Sequence, residues 1–445
     1  MPKILYIGFG IEPYCIGGAV LYQDALIRAV NAEGWETVCF YAAPQYTYKP
    51  TLDPFIKTWY KDKIKFIELY NTPHRFGYLN NPEHESSYKS INKFTEDILD
   101  QEKPDIVHIH ELQLHSVSII DLIVKRKIPV IKTMHNYYDI CSQRDLMYLG
   151  KERCIDYNNG EECVKCLNDL PRYKYYSYYL NSPLLTKIKF MLLKRIANCT
   201  QKLINPLIPY SSNQYLNRRK YFIERLNKLT VIHCSAQGAA NIFINHGILP
   251  ELMKIIPIAS ATVDLIFPKP VHNKTYPVVF GYVGGLYHHK GYDVLIDAFA
   301  KLDQNKAKLI IWHDNNKKII KGNLNIEYKT HYNNASINEA FKEIDVGIVP
   351  SIWDEIFGLI GIEWIKAKIP VIGSNIGGIP QWLSDQENGF LVKPNDVNDL
   401  SEKMEKFIKH PELVSDFQNK IKNQQTFKEH IYSMLELYNN LLLKK

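Results

Sequence analysis

The stretch Val349-Pro-Ser-Ile-Trp-Asp-Glu-Ile-Phe-Gly-Leu-Ile-Gly-Ile-Glu363 opens as an apolar run, breaks at a proline and resumes with helical spacing. It reads as a strand ending at Pro350, a loop carrying Glu355 and Gly358, and a helix through Ile362, Ile365 and Ala367. Glu355 then sits at the loop tip, and Glu363 lies about two turns into the helix. Phe357-Gly358-Leu359 places backbone N–H groups at the helix start, where the macrodipole favours an anion. Taken alone, the two glutamates read as a capping carboxylate and a solvated helix residue rather than as a functional pair.

Outward from this stretch the same strand–loop–helix unit recurs. Ile4–Ile7, Thr37–Tyr41, Ile106–Ile109, Val130–Thr133 and Leu229–His233 read as buried strands in the first half. Val278–Val283, Lys308–Trp312, Val346–Val349, Val371–Gly373 and Gly389–Val392 form a second series. Pro268 and Pro270 mark a linker within Ile258–Lys274. The expected fold class is α/β, with two facing Rossmann-like, doubly wound domains over 1–265 and 266–425. A C-terminal helix at 426–445 follows. Ligands of such sheets bind beyond the carboxyl ends of the strands, so the two domains are expected to share an interdomain cleft.

At 445 residues, two or three domains of ordinary size are expected, and 46% apolar with 23% charged residues excludes a disordered or fibrous chain. Eight cysteines are too few for a disulfide-built secreted module. No apolar run reaches the ~18–20 residues of a membrane span, and Lys3–Gly8 lacks the features of a signal peptide. A cytoplasmic location, with peripheral contact on the inner face of the cell membrane, is the expectation.

Three linked motifs carry a resemblance. Glu355, Phe357, Gly358 and Glu363 fit E-x-F-G-x-x-x-x-E; Pro370-Val-Ile-Gly-Ser374 and Gly377-Gly-Ile-Pro380 follow; Asn388-Gly-Phe-Leu-Val392 and Pro394 complete the series. Together they resemble the signature of glycosyltransferase family 4, retaining enzymes of the GT-B fold that use nucleotide-diphosphate sugars. The resemblance implies that Glu355 lies by the donor sugar and that Glu363 accepts the ribose hydroxyls. It also implies that the Phe357-Gly358-Leu359 backbone meets the donor. The C-terminal helix would pack back on the first domain. Gly284-Gly-Leu-Tyr-His-His-Lys-Gly291 is similar to the family's G-R-L-x-x-x-K-G loop. Lys290 would there neutralise the leaving diphosphate, while Gly285 stands where the family has arginine. Gly17 and Gly18 match its glycine pair after the first strand, which lets backbone approach the diphosphate. His110, at the end of the Ile106–Ile109 strand, would contact the transferred sugar, with His108 structural. His135 and Asn136 match the T-x-H-D stretch and become cleft candidates, Asn136 replacing the usual aspartate.

The implied activity is retaining, metal-independent sugar transfer to a glycan or lipid-linked acceptor in cell-surface polysaccharide or glycoconjugate synthesis. No cofactor serves catalysis, and the nucleotide sugar is co-substrate. A nucleotide-sugar epimerase of the same fold, and a non-catalytic protein docking on membrane or polyanion, are the alternatives.

Two further features stand outside these motifs. Cys141, Cys154, Cys163 and Cys166 form C-x12-C-x8-C-x2-C, a spacing that suits a structural zinc ion, with four free thiols as the alternative. Residues 172–228 hold twelve Lys/Arg and one acid, interleaved with tyrosines and an apolar stripe at Leu185, Ile188, Leu192 and Ile196. The net charge of +7 thus becomes a mildly acidic chain bearing one basic segment. That segment reads as a helix on an anionic membrane surface or as an amphipathic helix packed on its own domain. No base-reading fold accompanies it, so nucleic acid is not an expected partner.

Overall fold

A computed structural model describes residues 1–12, 17–43, 54–70, 72, 82–169, 211–271, 276–313, 323–330 and 332–443. The first lobe is an eight-stranded sheet. Its strands are β1 (Lys3–Phe9), β2 (Glu36–Ala42), β3 (Phe55–Lys61), β4 (Ile64–Tyr70), β5 (Ile106–Ile109), β6 (Val130–Thr133), β9 (Val231–Cys234) and β10 (Met253–Ile255). Between β6 and β9 lies a two-stranded ribbon, β7 (Met147–Tyr148) with β8 (Glu152–Arg153). The sheet order is β10-β9-β6-β5-β1-β2-β4-β3, parallel except for the β3–β4 hairpin.

The second lobe holds β11 (Val278–Val283), β12 (Ala307–Trp312), β13 (Ile326–Lys329), β14 (Val346–Val349), β15 (Val371–Ser374) and β16 (Gly389–Val392). All run parallel in the order β13-β12-β11-β14-β15-β16. The central strands are buried on both faces, as β5, β6, β14 and β15 show along their whole length. Such strands require helices on both faces, which is why their sequences are continuous apolar runs rather than alternating ones.

Chain order reverses twice across these sheets. In the first, β1 leads outward to β2 on one side, and β5 begins the run to β6, β9 and β10 on the other. In the second, the reversal falls between β11 and β14. At each reversal neighbouring loops diverge and leave a crevice at the strand ends.

The polypeptide crosses between lobes twice, through 256–268 and again before the helix Phe427–Leu442. That helix starts on a reciprocal Thr426–Glu429 capping box. It lies against the first lobe: Tyr438 Oη meets His108 Nδ1 at 2.8 Å, and His430 Nε2 meets Tyr22 Oη at 2.8 Å.

Candidate functional site

The carboxyl ends of β11 and β14 build the second-lobe wall of the cleft. β14 ends at Val349, and the following loop turns Glu355 inward, leaving it 7% exposed. Lys290, from the turn after β11, reaches Glu355 Oε1 at 2.7 Å, and Ser351 Oγ donates to the same oxygen at 2.8 Å. Burial alone would raise the Glu355 carboxyl; the Lys290 charge and the hydrogen bonds outweigh it and hold the group below the usual range. The Lys290 ammonium also lies 4.6 Å from the centre of the Trp353 ring, so it has an anion on one side and an aromatic face on the other.

The glycines of the second motif explain its tie to the first. Gly377 adopts φ +54°, and a Cβ there would lie 2.3 Å from the Glu355 carbonyl oxygen. Gly378 N–H donates to that carbonyl at 2.6 Å. The Gly377-Gly378 backbone therefore cradles the loop that carries Glu355. Gly358, at φ +83°, caps the helix Leu359–Lys366, whose first turn lines the cleft.

A cavity of about 330 Å³ opens between the lobes. Its lining includes Gly18 and His135 from the first lobe, and Gly284, Lys290, Trp353, Glu355, Phe357, Gly358 and Leu359 from the second. A smaller cavity of about 150 Å³ adjoins it, sharing Gly18 and His135 and adding Gly17, His110, Glu111, Asn136 and Arg144. It sits at the β1/β5 reversal, so the two crevices meet.

His110 is 1% exposed; its Nδ1 meets His135 Nε2 at 2.9 Å, while its Nε2 has no hydrogen-bond partner among the described residues. Burial pushes both imidazoles down, His135 to about 3, with further lowering by their cationic and imidazole neighbours. Both are neutral at ordinary pH, leaving the His110 Nε2 available to a substrate hydroxyl. His108 is fully buried and fully bonded, to Tyr438 and to Thr133 Oγ1 at 2.7 Å.

Other expected residues fall differently. Gly284 lines the cavity where Gly285 was expected, because the Tyr287 ring fills the space at Gly285: a Cβ there would lie 2.2 Å from it. Glu363 does not line the cavity. Its Oε1 accepts from Ser260 Oγ at 3.0 Å and from Thr262 Oγ1, both on the crossing between lobes. Burial raises the Glu363 carboxyl, and these two hydroxyls hold part of that rise back. Asn136 Nδ2 donates to Glu111 Oε2 at 2.6 Å, so the carboxylate missing at position 136 is supplied by its neighbour at 111.

The structure does not show the zinc site that the cysteine spacing suits. Among the described residues no three His, Cys, Asp or Glu are grouped to hold a metal ion. Cys166 Sγ instead takes the Leu149 N–H at 2.9 Å and the Gln143 amide, and Cys154 Sγ faces the Asp156 carbonyl at 3.8 Å. Burial pushes Cys154 up to about 11 and Cys163 and Cys166 up to about 12, so these three remain thiols.

The expected membrane-facing helix around Leu185–Ile196 lies outside the described residues. The described part of the basic segment, the helix Ser212–Leu226, does not present a free cationic face. Arg218 lies over the Tyr138 and Phe222 rings, Arg219 over the Tyr157 ring, and Arg225 and Lys228 pair with Asp121. No described helix is long and apolar enough to cross a membrane.

Two cross-lobe contacts escaped sequence reading. Arg153 Nε and Nη2 donate to Asp354 Oδ2 and Oδ1 at 3.0 and 2.8 Å, and His288 Nε2 lies 2.9 Å from the Lys151 carbonyl.

Two family profiles match successive parts of the chain: Glycosyltransferase Family 4 over residues 16–207, and Glycosyl transferases group 1 over 263–424. The chain belongs to glycosyltransferase family 4. Among relatives of this family 4 chain is an uncharacterized glycosyltransferase of Methanocaldococcus jannaschii, 32% identical over 30% of the chain and 38% of the relative. An uncharacterized 42.6 kDa protein in the cps region of Klebsiella pneumoniae is 23% identical over 75% of the chain and 72% of the relative. The chain spans only 33–38% of the length of three curated relatives it matches. HepE of Anabaena, solved in complex with UDP and glucose, aligns over 99% of the chain and 100% of its own with a TM-score of 0.60 at 12% identity. That likeness establishes the GT-B fold, two Rossmann-like lobes around a cleft.

Proposed function

We propose that this chain transfers a sugar from a nucleoside-diphosphate donor to a glycan or lipid-linked acceptor in polysaccharide synthesis. The observation that carries the reading is the Lys290–Glu355 pair at the junction of the two crevices. A departing diphosphate gains one negative charge as its bond to the anomeric carbon breaks, and a preorganised ammonium with a helix N-terminus stabilises that charge without reorganising water. The bound UDP of the HepE structure and the cps-region relative support the same donor and product classes.

In this reading the donor lies on the second lobe. The Gly358-Leu359 N–H groups and Lys290 hold its phosphates, and Glu355 the sugar; Glu363 would meet the ribose only by exchanging its Ser260 and Thr262 hydroxyl partners for the ribose hydroxyls. Gly17 and Gly18 approach the diphosphate from the first lobe. His110 Nε2 holds a hydroxyl of the sugar, and His135 and Asn136 line the acceptor side. The bond from the anomeric carbon to the diphosphate oxygen breaks as the acceptor oxygen attacks the same face. The acceptor proton passes to the leaving phosphate oxygen. Configuration is retained, and no metal is required because Lys290 supplies the charge.

The test is a thermal-shift panel of nucleotide sugars, followed by transfer assays with the hit. One donor should raise the melting temperature with increasing concentration. The product linkage, read by NMR, should keep the donor's anomeric configuration. No stabilisation by any nucleotide sugar would sink the reading, and inversion would remove its mechanism.

A further inference from the structure

A third cavity, of about 350 Å³, lies away from the cleft, where the two crossings between lobes run side by side. Asp264 comes from the first crossing, Lys366 and Lys368 from the far end of the Leu359–Lys366 helix, and Lys422, Thr426 and Lys428 from the second crossing. Four lysines and one aspartate thus line a space as large as the cleft cavity, with the Lys428 ammonium 5.7 Å from the centre of the Tyr432 ring.

The acids nearby are already committed. Asp264 accepts the Phe427 and Lys428 N–H groups at 2.9 and 3.4 Å, and Glu429 accepts Thr426 N–H at 2.7 Å. Lys368 donates to the Ile421 carbonyl, whereas Lys366 and Lys422 form no ion pair among the described residues. Four like charges around one hollow repel one another, and a multiply charged anion relieves that repulsion. Ammonium groups are compact, strongly hydrated point charges, suited to phosphate oxygens rather than to planar carboxylate pairs.

We propose that this cavity is a binding site for a small phosphate-bearing anion, held by Lys366, Lys422 and Lys428 at the hinge between the lobes. The bound anion ties the 264–268 crossing to the 422–428 crossing. The site is independent of the sugar-transfer reading, since none of its residues lines the cleft.

Isothermal titration of the full chain with inorganic pyrophosphate, at low salt, is the test. Binding should be saturable, and should persist in Lys290→Ala, which removes the cleft ammonium. It should weaken at least tenfold when Lys366, Lys422 and Lys428 become Ala together. Should that triple variant fold poorly, Lys422→Glu at an exposed position should give the same loss. Hydrogen exchange over 422–428 should slow with pyrophosphate present in the Lys290→Ala protein. Undiminished binding in the lysine variants, loss of all binding with Lys290→Ala, or no saturable binding each overturns the site.

Discussion

Arg153 forms a two-pronged ion pair with Asp354, the residue immediately before Glu355, from the opposite lobe. Asp354 is 6% exposed, so removing its partner leaves a buried carboxylate without a counter-ion. The His288–Lys151 contact lies on the same ribbon, which therefore grips both second-lobe loops that line the cleft. Arg153→Ala should lower kcat/KM by about 5- to 100-fold, the ~1–3 kcal/mol range of an orphaned buried acceptor. Asp354→Ala combined with Arg153→Ala should cost little more than either change alone, because both remove one interaction. Initial rates over a donor series decide this; additive losses would show that the two residues act separately.

Lys290→Met keeps the stem of the side chain and removes its charge. Glu355 then loses the group that outweighs its burial, and its carboxyl rises. The sign follows: a carboxylate needed ionised beside the sugar is protonated as pH falls, and with its pKa raised this happens at a higher pH, so the acid limb of the kcat/KM profile moves to higher pH in Lys290→Met. At the plateau, kcat should drop by about 10²–10³, the usual cost of losing a preorganised donor to a developing anion. An unshifted acid limb would separate Glu355 from the pH dependence.

Gly377→Ala tests the cradle. The left-handed backbone at φ +54° already disfavours a side chain, and the added Cβ would sit 2.3 Å from the Glu355 carbonyl oxygen and 2.7 Å from its nitrogen. Strain of about 1–3 kcal/mol, relieved by moving the loop, should displace Glu355 and lower activity about a hundredfold. Thermal melting and donor turnover measured together distinguish this from simple unfolding: activity should fall well before stability does.

Much of this frame was readable in the chain. Strands buried on both faces are continuous apolar runs, so Ile106–Ile109, Val130–Thr133, Val278–Val283 and Val346–Val349 were placed to the residue. The β3–β4 hairpin was not, because lysines interrupt its alternation. Its turn places Asp62 and Lys63 at positive φ without the glycine that usually marks such a turn. The motif residues 355–359 and 290 converge on the cleft, since local strand-to-loop geometry carries them there. Arg153 and Asp354 are 201 positions apart, and no local pattern announces a pair made by domain packing. The arginines of the 212–226 helix looked like a surface charge, yet burial of their stems against Tyr138, Phe222 and Tyr157 makes them part of the lobe.

Acid should unfold the first lobe through its buried histidines. Burial pushes His115 and His233 down to about 4 and His135 and His430 down to about 3, with His108 and His110 also well below 6.5. In the unfolded chain these groups take up protons near pH 6.5, whereas the folded chain resists until far lower pH. The unfolded state therefore binds more protons, and stability is fully present above about pH 6.5 and lost as pH falls toward 4. Each such histidine contributes a slope of about 1.4 kcal/mol per pH unit within that window. Two of them acting over two pH units already remove an amount comparable with the ~5–15 kcal/mol stability of a typical protein. Melting temperature followed from pH 7.5 to 4.5 should hold level at first and then fall steeply below 6.5. His108→Asn combined with His233→Asn should flatten the fall while lowering the plateau, because the hydrogen bonds through Thr133 are lost. A profile that stays level to pH 4.5 would show that these imidazoles find counter-charges or water as they protonate.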